Sequence, residues 1–297
     1  MSAKMINNRR PLFLLASLAA LSLLPACYEP QMGCLDVEAV NYDFSADEAA
    51  PADCVYPEIR LRLQHVYSYP DTIVPLRLLD TFYLDEAGNP FRLSRFDFLL
   101  SDIRLQLAGS SELGIEEQLA IYLEGPNGRV IEERIPDNFG FGSAGLGASN
   151  IDVGTSRESE QVESASFFVG VEGLANEAIA DSFPIAHPLG LSDSLIYFNR
   201  DSGYVFQLVE LFRDTAATDT IPELLRIGTA ENLKLIELPL PVFKEPGFHF
   251  RIDLQVDYRE WLRGLNVASD SREQLAEKIV SNTANAFSVI GVTLEEN

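Results

Sequence analysis

From Arg60 to Tyr69 apolar and polar residues alternate, with Leu61, Leu63, His65 and Tyr67 on one side and Arg60, Arg62 and Gln64 on the other. A period of two is that of a half-buried strand. The stretch "TFYLDEAGNPFRLSRFDFLLSDIRLQL" places a Gly-Asn-Pro turn between two strand-like runs, and "LAIYLEGPNGRVIEERI" predicts a hairpin turning at residues 125–128. Further strands are predicted over 166–171, 195–198, 204–212, 233–238 and 248–256. One helix stands out, opened by a Ser271/Gln274 capping box with Leu275, Ile279 and Ala286 at helical spacing. Many short strands without alternating helices predict an all-β sandwich with long loops and a C-terminal helix. The longest predicted loop is "NFGFGSAGLGASN". Its Gly140, Gly142 and Gly145 spell G-x-G-x-x-G, but a dinucleotide site needs a strand before and a helix after that motif, and neither is predicted.

The first residues have a different texture. Lys4, Arg9 and Arg10 precede an apolar run ending at Leu24-Pro25-Ala26-Cys27, the layout of a secretory signal over residues 1–26. The ending resembles a lipobox, which implies that Cys27 becomes the lipidated first residue of the mature protein. Tyr28 rather than Asp after it favours sorting to the outer membrane, so the membrane is an expected partner. Several acyl chains give durable anchoring at roughly 0.8 kcal/mol per buried methylene. With Cys27 taken by lipid, Cys34 and Cys54 remain for one disulfide in an oxidising compartment. No thiol is then left for nucleophilic catalysis or a soft metal site.

Between anchor and domain, residues 27–56 are polar and alanine-rich. Gly33, Cys34, Asp36, Ala39, Asn41, Tyr42, Ala46, Cys54 and Tyr56 match the pattern of small Cys-pair modules near the N-termini of surface proteins of Gram-negative bacteria. Asp36, Asn41 and Asp43 are candidate calcium ligands, but the acidic-Gly-Ser lead into the second cysteine is missing. A disulfide-closed spacer ahead of a domain over 57–297 is the preferred reading. The formal net charge of -23 repels nucleic acid and anionic headgroups. No G-x-S-x-G elbow is present and no catalytic residue is nominated, so the chain is read as non-catalytic.

The chain has three histidines. His65 lies on the apolar face of the first domain strand, His187 in a Pro-flanked loop, and His249 on the polar face of "FHFRIDLQVDY". Their spacings are too long for a local metal motif, so only folding could gather them. Taken singly, each is a hydrogen-bonded structural or surface residue.

Four segments in order, "TFYLDEAGNPFRLSRFDFLLSDIRL", "SASFFVGVEGLANEA", "AHPLGLSDSLIYFNRDSGYVFQLVEL" and "FHFRIDLQVDYREWL", resemble those of the MbnP-like domain from residue 57 to the C-terminus. The resemblance implies an exported β-sandwich with copper-binding, MopE-related relatives. In these, histidines and a tryptophan oxidised to kynurenine hold copper, and a haem peroxidase-like partner performs the oxidation. For this chain it implies copper captured without turnover by two or three of His65, His187 and His249. Two departures weigh against that: Phe198 stands where the family often has Trp in "m-y-W", and Arg226 where many members have His in "H-i-G". Trp261 is the only tryptophan and adjoins no histidine in sequence. The alternative is a metal-free interaction or structural module on the same sandwich.

Overall fold

The computed structural model describes residues 28–109, 111–191, 193–213 and 221–296, so the signal and Cys27 lie outside the described residues. Strands β1 (Met32–Gly33) and β2 (Glu48–Ala49) pair within the Cys module, which the Cys34–Cys54 disulfide closes. The smaller sheet of the domain has the order β10 (Ala148–Thr155), β3 (Glu58–Tyr69), β16 (His249–Asp257), β17 (Phe287–Glu295), with β4 (Thr72–Pro75) on the far half of β3. Of these pairings β3–β16 is parallel and the others are antiparallel. The larger sheet runs β12 (Tyr197–Asn199), β13 (Gly203–Phe212), β6 (Pro90–Leu107), β11 (Gln161–Val169), β15 (Lys234–Phe243). It also takes in β14 (Glu223–Gly228), β5 (Tyr83–Leu84) and β9 (Gly140–Ser143), while β7 (Gln118–Glu124) and β8 (Val130–Pro136) form a separate hairpin. This is the all-β sandwich that the pattern predicts.

Burial explains the sequence texture. Along β3, Ile59, Leu61, Leu63, His65 and Tyr67 are buried and their neighbours are not, because one face of the smaller sheet meets the core. The larger sheet is covered on both faces. Its inner side packs Phe98, Leu100, Val209 and Leu211 against the smaller sheet, whereas Leu99, Tyr204 and Phe206 point outward into a second cluster. The β7–β8 hairpin and the segment after β11 cover that second cluster with Ile121, Phe183 and Leu189. Strand β13 is therefore buried at consecutive positions from Gly203 to Val209 instead of alternately.

The stretch read as the longest loop is different in the structure. Residues 140–143 are strand β9, paired with β6, and β10 follows after a short 3-10 turn. Packing accounts for two of its glycines. A Cβ on Gly142 would lie 2.2 Å from Cζ of Phe98, its ladder partner, and one on Gly140 would lie 2.8 Å from Ile151. The spacing that imitates a phosphate loop is thus clearance for large side chains. The predicted strand at 195–198 begins as a 3-10 turn, capped by the Asp193 carboxylate, and only Tyr197–Asn199 pairs. The helix is Arg272–Asn282 with both capping-box bonds formed, and Ala286 falls in the 3-10 turn that follows it. Strand β15 extends through Pro239 and Pro241, which an edge strand tolerates.

Candidate functional site

His65 is 1% exposed and packed in the inner core beside Phe98 and Tyr258. Its Nδ1 lies 2.9 Å from the Tyr258 hydroxyl and its Nε2 2.9 Å from the Ser149 hydroxyl. Ser149 Oγ also accepts the Ser143 N–H at 3.1 Å, which ties this histidine to the β9–β10 connection. Burial pushes the His65 imidazole down to about 4, so it is neutral at physiological pH. A neutral ring has one donor and one acceptor nitrogen, and here each already has a protein partner.

His187 sits on the other side of the larger sheet. It stacks on Phe183 at 5.5 Å and meets Phe139 edge-on, both members of the outer cluster. The Leu189 N–H donates to Nδ1 at 3.1 Å, which places the proton of the neutral ring on Nε2, 3.0 Å from Oδ1 of Asp137. The only basic lone pair of this ring is therefore occupied. His249, at the start of β16, accepts the Glu58 N–H on Nδ1 at 3.1 Å, so only Nε2 could take a cation.

Ladder register fixes the separation of two of these rings. Phe250 pairs with Ile59, and Val256 pairs with His65, so His249 and His65 are seven residues apart along parallel neighbouring strands. At about 3.3 Å per residue that is roughly 23 Å, whereas metal–nitrogen bonds are near 2 Å. Alternation along β6 places His65 against inward-facing Phe98 and His187 among the outward cluster that holds Leu99. The expectation that folding gathers His65, His187 and His249 into one pocket is not met. Among the described residues, no group of three or more His, Cys, Asp or Glu side chains is placed to hold an ion.

An open cavity of about 880 Å³ adjoins His187. Ile151, Ile185 and Phe139 supply apolar wall, and Asp97, Asp137 and Asp193 supply charge. Two of these acids are already neutralised. Arg95 bonds Asp97 and reaches Asp193 at 2.7 Å. The Leu195 N–H and then Arg95 hold the Asp193 carboxyl below its ordinary range. The candidate calcium ligands of the Cys module are likewise engaged: Asp36 accepts the Tyr56 hydroxyl, Asn41 bonds Asp53 and Val55, and Asp43 accepts from Ser45.

A family model described as MbnP matches residues 56–281, most of the chain. The chain belongs to the MbnP family. No curated protein sequence matches it. Among solved structures, MbnP from Methylosinus trichosporium is similar, at 12% identity and a TM-score of 0.39, over 79% of this chain and 98% of that one.

Within the MbnP pattern the two departures meet in space. The Arg226 guanidinium lies 4.5 Å over the Phe198 ring. It is fixed there by Nε donating to the Leu195 carbonyl at 3.1 Å and an Nη donating to the Tyr197 carbonyl at 2.6 Å. A permanent cation is thus stacked on an aromatic face at the two positions where the sequence resemblance leads one to expect an imidazole and an indole. Guanidinium has no lone pair for a metal and repels one electrostatically. Among the described residues, the donors at these two positions do not fit the copper centre that the resemblance implies. Trp261 lies elsewhere, fully buried in the inner core between Phe96 and Phe98. Sequence reading missed the histidine partners Ser149, Tyr258 and Asp137, since each is distant along the chain and carries no local signature.

Proposed function

We propose that the protein is a lipid-anchored envelope member of the MbnP family, acting as a binding module without turnover and without a three-imidazole copper centre. The observation that carries this reading is His65: both ring nitrogens have partners in the core, with His249 roughly 23 Å away along the ladder. The lipobox-like ending at Cys27 supports the anchor, and Tyr28 in place of Asp after it favours outer-membrane sorting. A haem peroxidase-like oxidant would find Phe198, not tryptophan, at the family position, so no kynurenine ligand forms there. The cavity beside His187 is where such a module would meet its ligand, because it joins apolar wall to fixed charge.

Thermal melting with and without Cu(II), Cu(I) and Zn(II) tests this reading. A metal that binds only the native state adds about 2.7 kcal/mol at a hundredfold excess over its Kd, enough to move the midpoint by degrees. The expected result is no shift at micromolar metal. A rise with copper that is lost in the H187A and H249A variants would overturn the metal-free reading.

A further inference from the structure

The Cys module has almost no core of its own. Of residues 28–56 only Cys34 and Ala39 are buried, and its two strands are two residues each. A segment this short keeps a fold only with a cross-link or a neighbour to lean on. Both are present here. The Cys34–Cys54 bond closes the loop that carries Asp36, Glu38 and Ala39. That loop lies against the end of the sandwich where β3 begins and β15 stops.

The Tyr56 hydroxyl donates to Asp36 at 2.9 Å, and the Arg157 guanidinium lies 4.1 Å over the Tyr56 ring. Ser159 donates to the Glu38 carboxylate. A Cβ on Gly247 would lie 3.4 Å from the Ala39 carbonyl oxygen and 3.8 Å from that of Val37. Two domain loops, 156–160 and 244–247, therefore receive residues 36–39. Lys244 ties those loops together, its N–H donating to the Glu160 carbonyl at 3.0 Å and its Nζ to the Glu158 carbonyl at 2.6 Å. The side chain is fully buried, which is rare for a lysine without partners. Burial pulls its ammonium below the ordinary lysine range, and the Glu38 and Glu158 carboxylates oppose that pull. One of the two carboxylates acting on Lys244 thus belongs to the module.

We infer that the Cys module is a disulfide-locked clasp, closed over Lys244 at this end of the sandwich and opened by reduction of the Cys34–Cys54 bond. In the opening step a dithiol reductant gives two electrons and two protons to the bond. The bond becomes two thiols, and the reductant closes to its own disulfide. Cys34 is buried but Cys54 is only half-buried, so the bond can be reached from the Cys54 side. Without the cross-link the module lacks the core to stay folded, and Asp36 and Glu38 leave the two loops. The opening is local, because β6, β13 and β16 are held by the inner core of the sandwich. A plain spacer would leave both loops and Lys244 indifferent to the disulfide.

The test is amine labelling with an N-hydroxysuccinimide ester, read by mass spectrometry on protein purified from its native envelope, with and without a dithiol reductant. After residue 27 the chain has three lysines, Lys234, Lys244 and Lys278, so two of them serve as internal controls. Hydrogen exchange along β6 is followed in parallel. The expected result is slow labelling of Lys244 that rises on reduction by about thirtyfold or more, equivalent to about 2 kcal/mol, the low end for a lost disulfide. Lys234, Lys278 and the protection of β6 stay unchanged, and a Cys34→Ser/Cys54→Ser double variant shows the open pattern without reductant. Labelling of Lys244 as fast as Lys234 before reduction overturns the clasp, since the module is then not closed. A Lys244 that stays slow in both the reduced protein and the double variant overturns the lock by the disulfide. Loss of protection along β6 together with Lys244 labelling overturns the local opening, because the domain then unfolds as one.

Discussion

Replacing His65 with leucine is expected to lower stability by about 2–4 kcal/mol at pH 7 and to remove the share of the acid sensitivity between pH 6.5 and pH 4 that this imidazole carries. The neutral-pH loss has two sources. Two hydrogen bonds disappear, each worth roughly 0.5–1.5 kcal/mol, and the buried Tyr258 hydroxyl is left without its imidazole partner, which costs about 1–3 kcal/mol. The pH term follows from burial. The folded imidazole is pushed down to about 4, whereas an unfolded histidine titrates near 6.5. Between those values the unfolded chain holds more protons, so stability rises with pH. The contribution of a neutral His65 is complete above about pH 6.5 and gone below about pH 4. Over that window it amounts to roughly 3 kcal/mol. Urea midpoints at pH 7, 5.5 and 4 for both proteins check this. Parallel pH profiles would show that His65 is not the buried titrating group.

Truncating Trp261 to alanine is expected to cost about 3–5 kcal/mol, the range for emptying a large aromatic from a packed core. The indole is fully buried, with ring centroids 4.7 Å from Phe96, 5.0 Å from Phe98 and 5.3 Å from Phe287. Its Nε1–H donates to Thr283 Oγ1 at 3.2 Å, an oxygen that also accepts from buried Gln207. Trp261→Phe keeps most of the ring contact and loses the donor, so a smaller loss of about 1–2 kcal/mol is expected. Denaturant midpoints at constant slope measure both. A loss below about 1 kcal/mol for the alanine variant would mean that the core does not depend on this side chain. The indole therefore serves packing, in an aromatic cluster whose Phe98 and Tyr258 also touch His65.

The strand pattern was legible wherever one face of a strand is wet. The alternation at 60–69 gave β3 with the correct inward set, including His65, and the 118–136 hairpin was equally clear. It failed where packing replaces periodicity. In β9 two glycines give way to Phe98 and Ile151, and glycine-rich composition then imitates a loop. Strand β17, partly exposed along an edge, has an irregular burial pattern and followed a helix signal that masked it. At the candidate site, sequence showed that Phe198 and Arg226 depart from the family pattern, but not that the two side chains stack on each other. The partners of the histidines were invisible because Tyr258 is 193 residues from His65 and Asp137 is 50 from His187.

Copper content gives the most direct test that these imidazoles form no shared centre. Protein purified from its native envelope, then dialysed to equilibrium against Cu(I) and separately against Cu(II) with a competing chelator, should carry far less than one copper per chain. Stoichiometric copper that disappears in the H65A variant while the fold persists would contradict the account, since it would require that ring to leave Tyr258 and Ser149 and join the others.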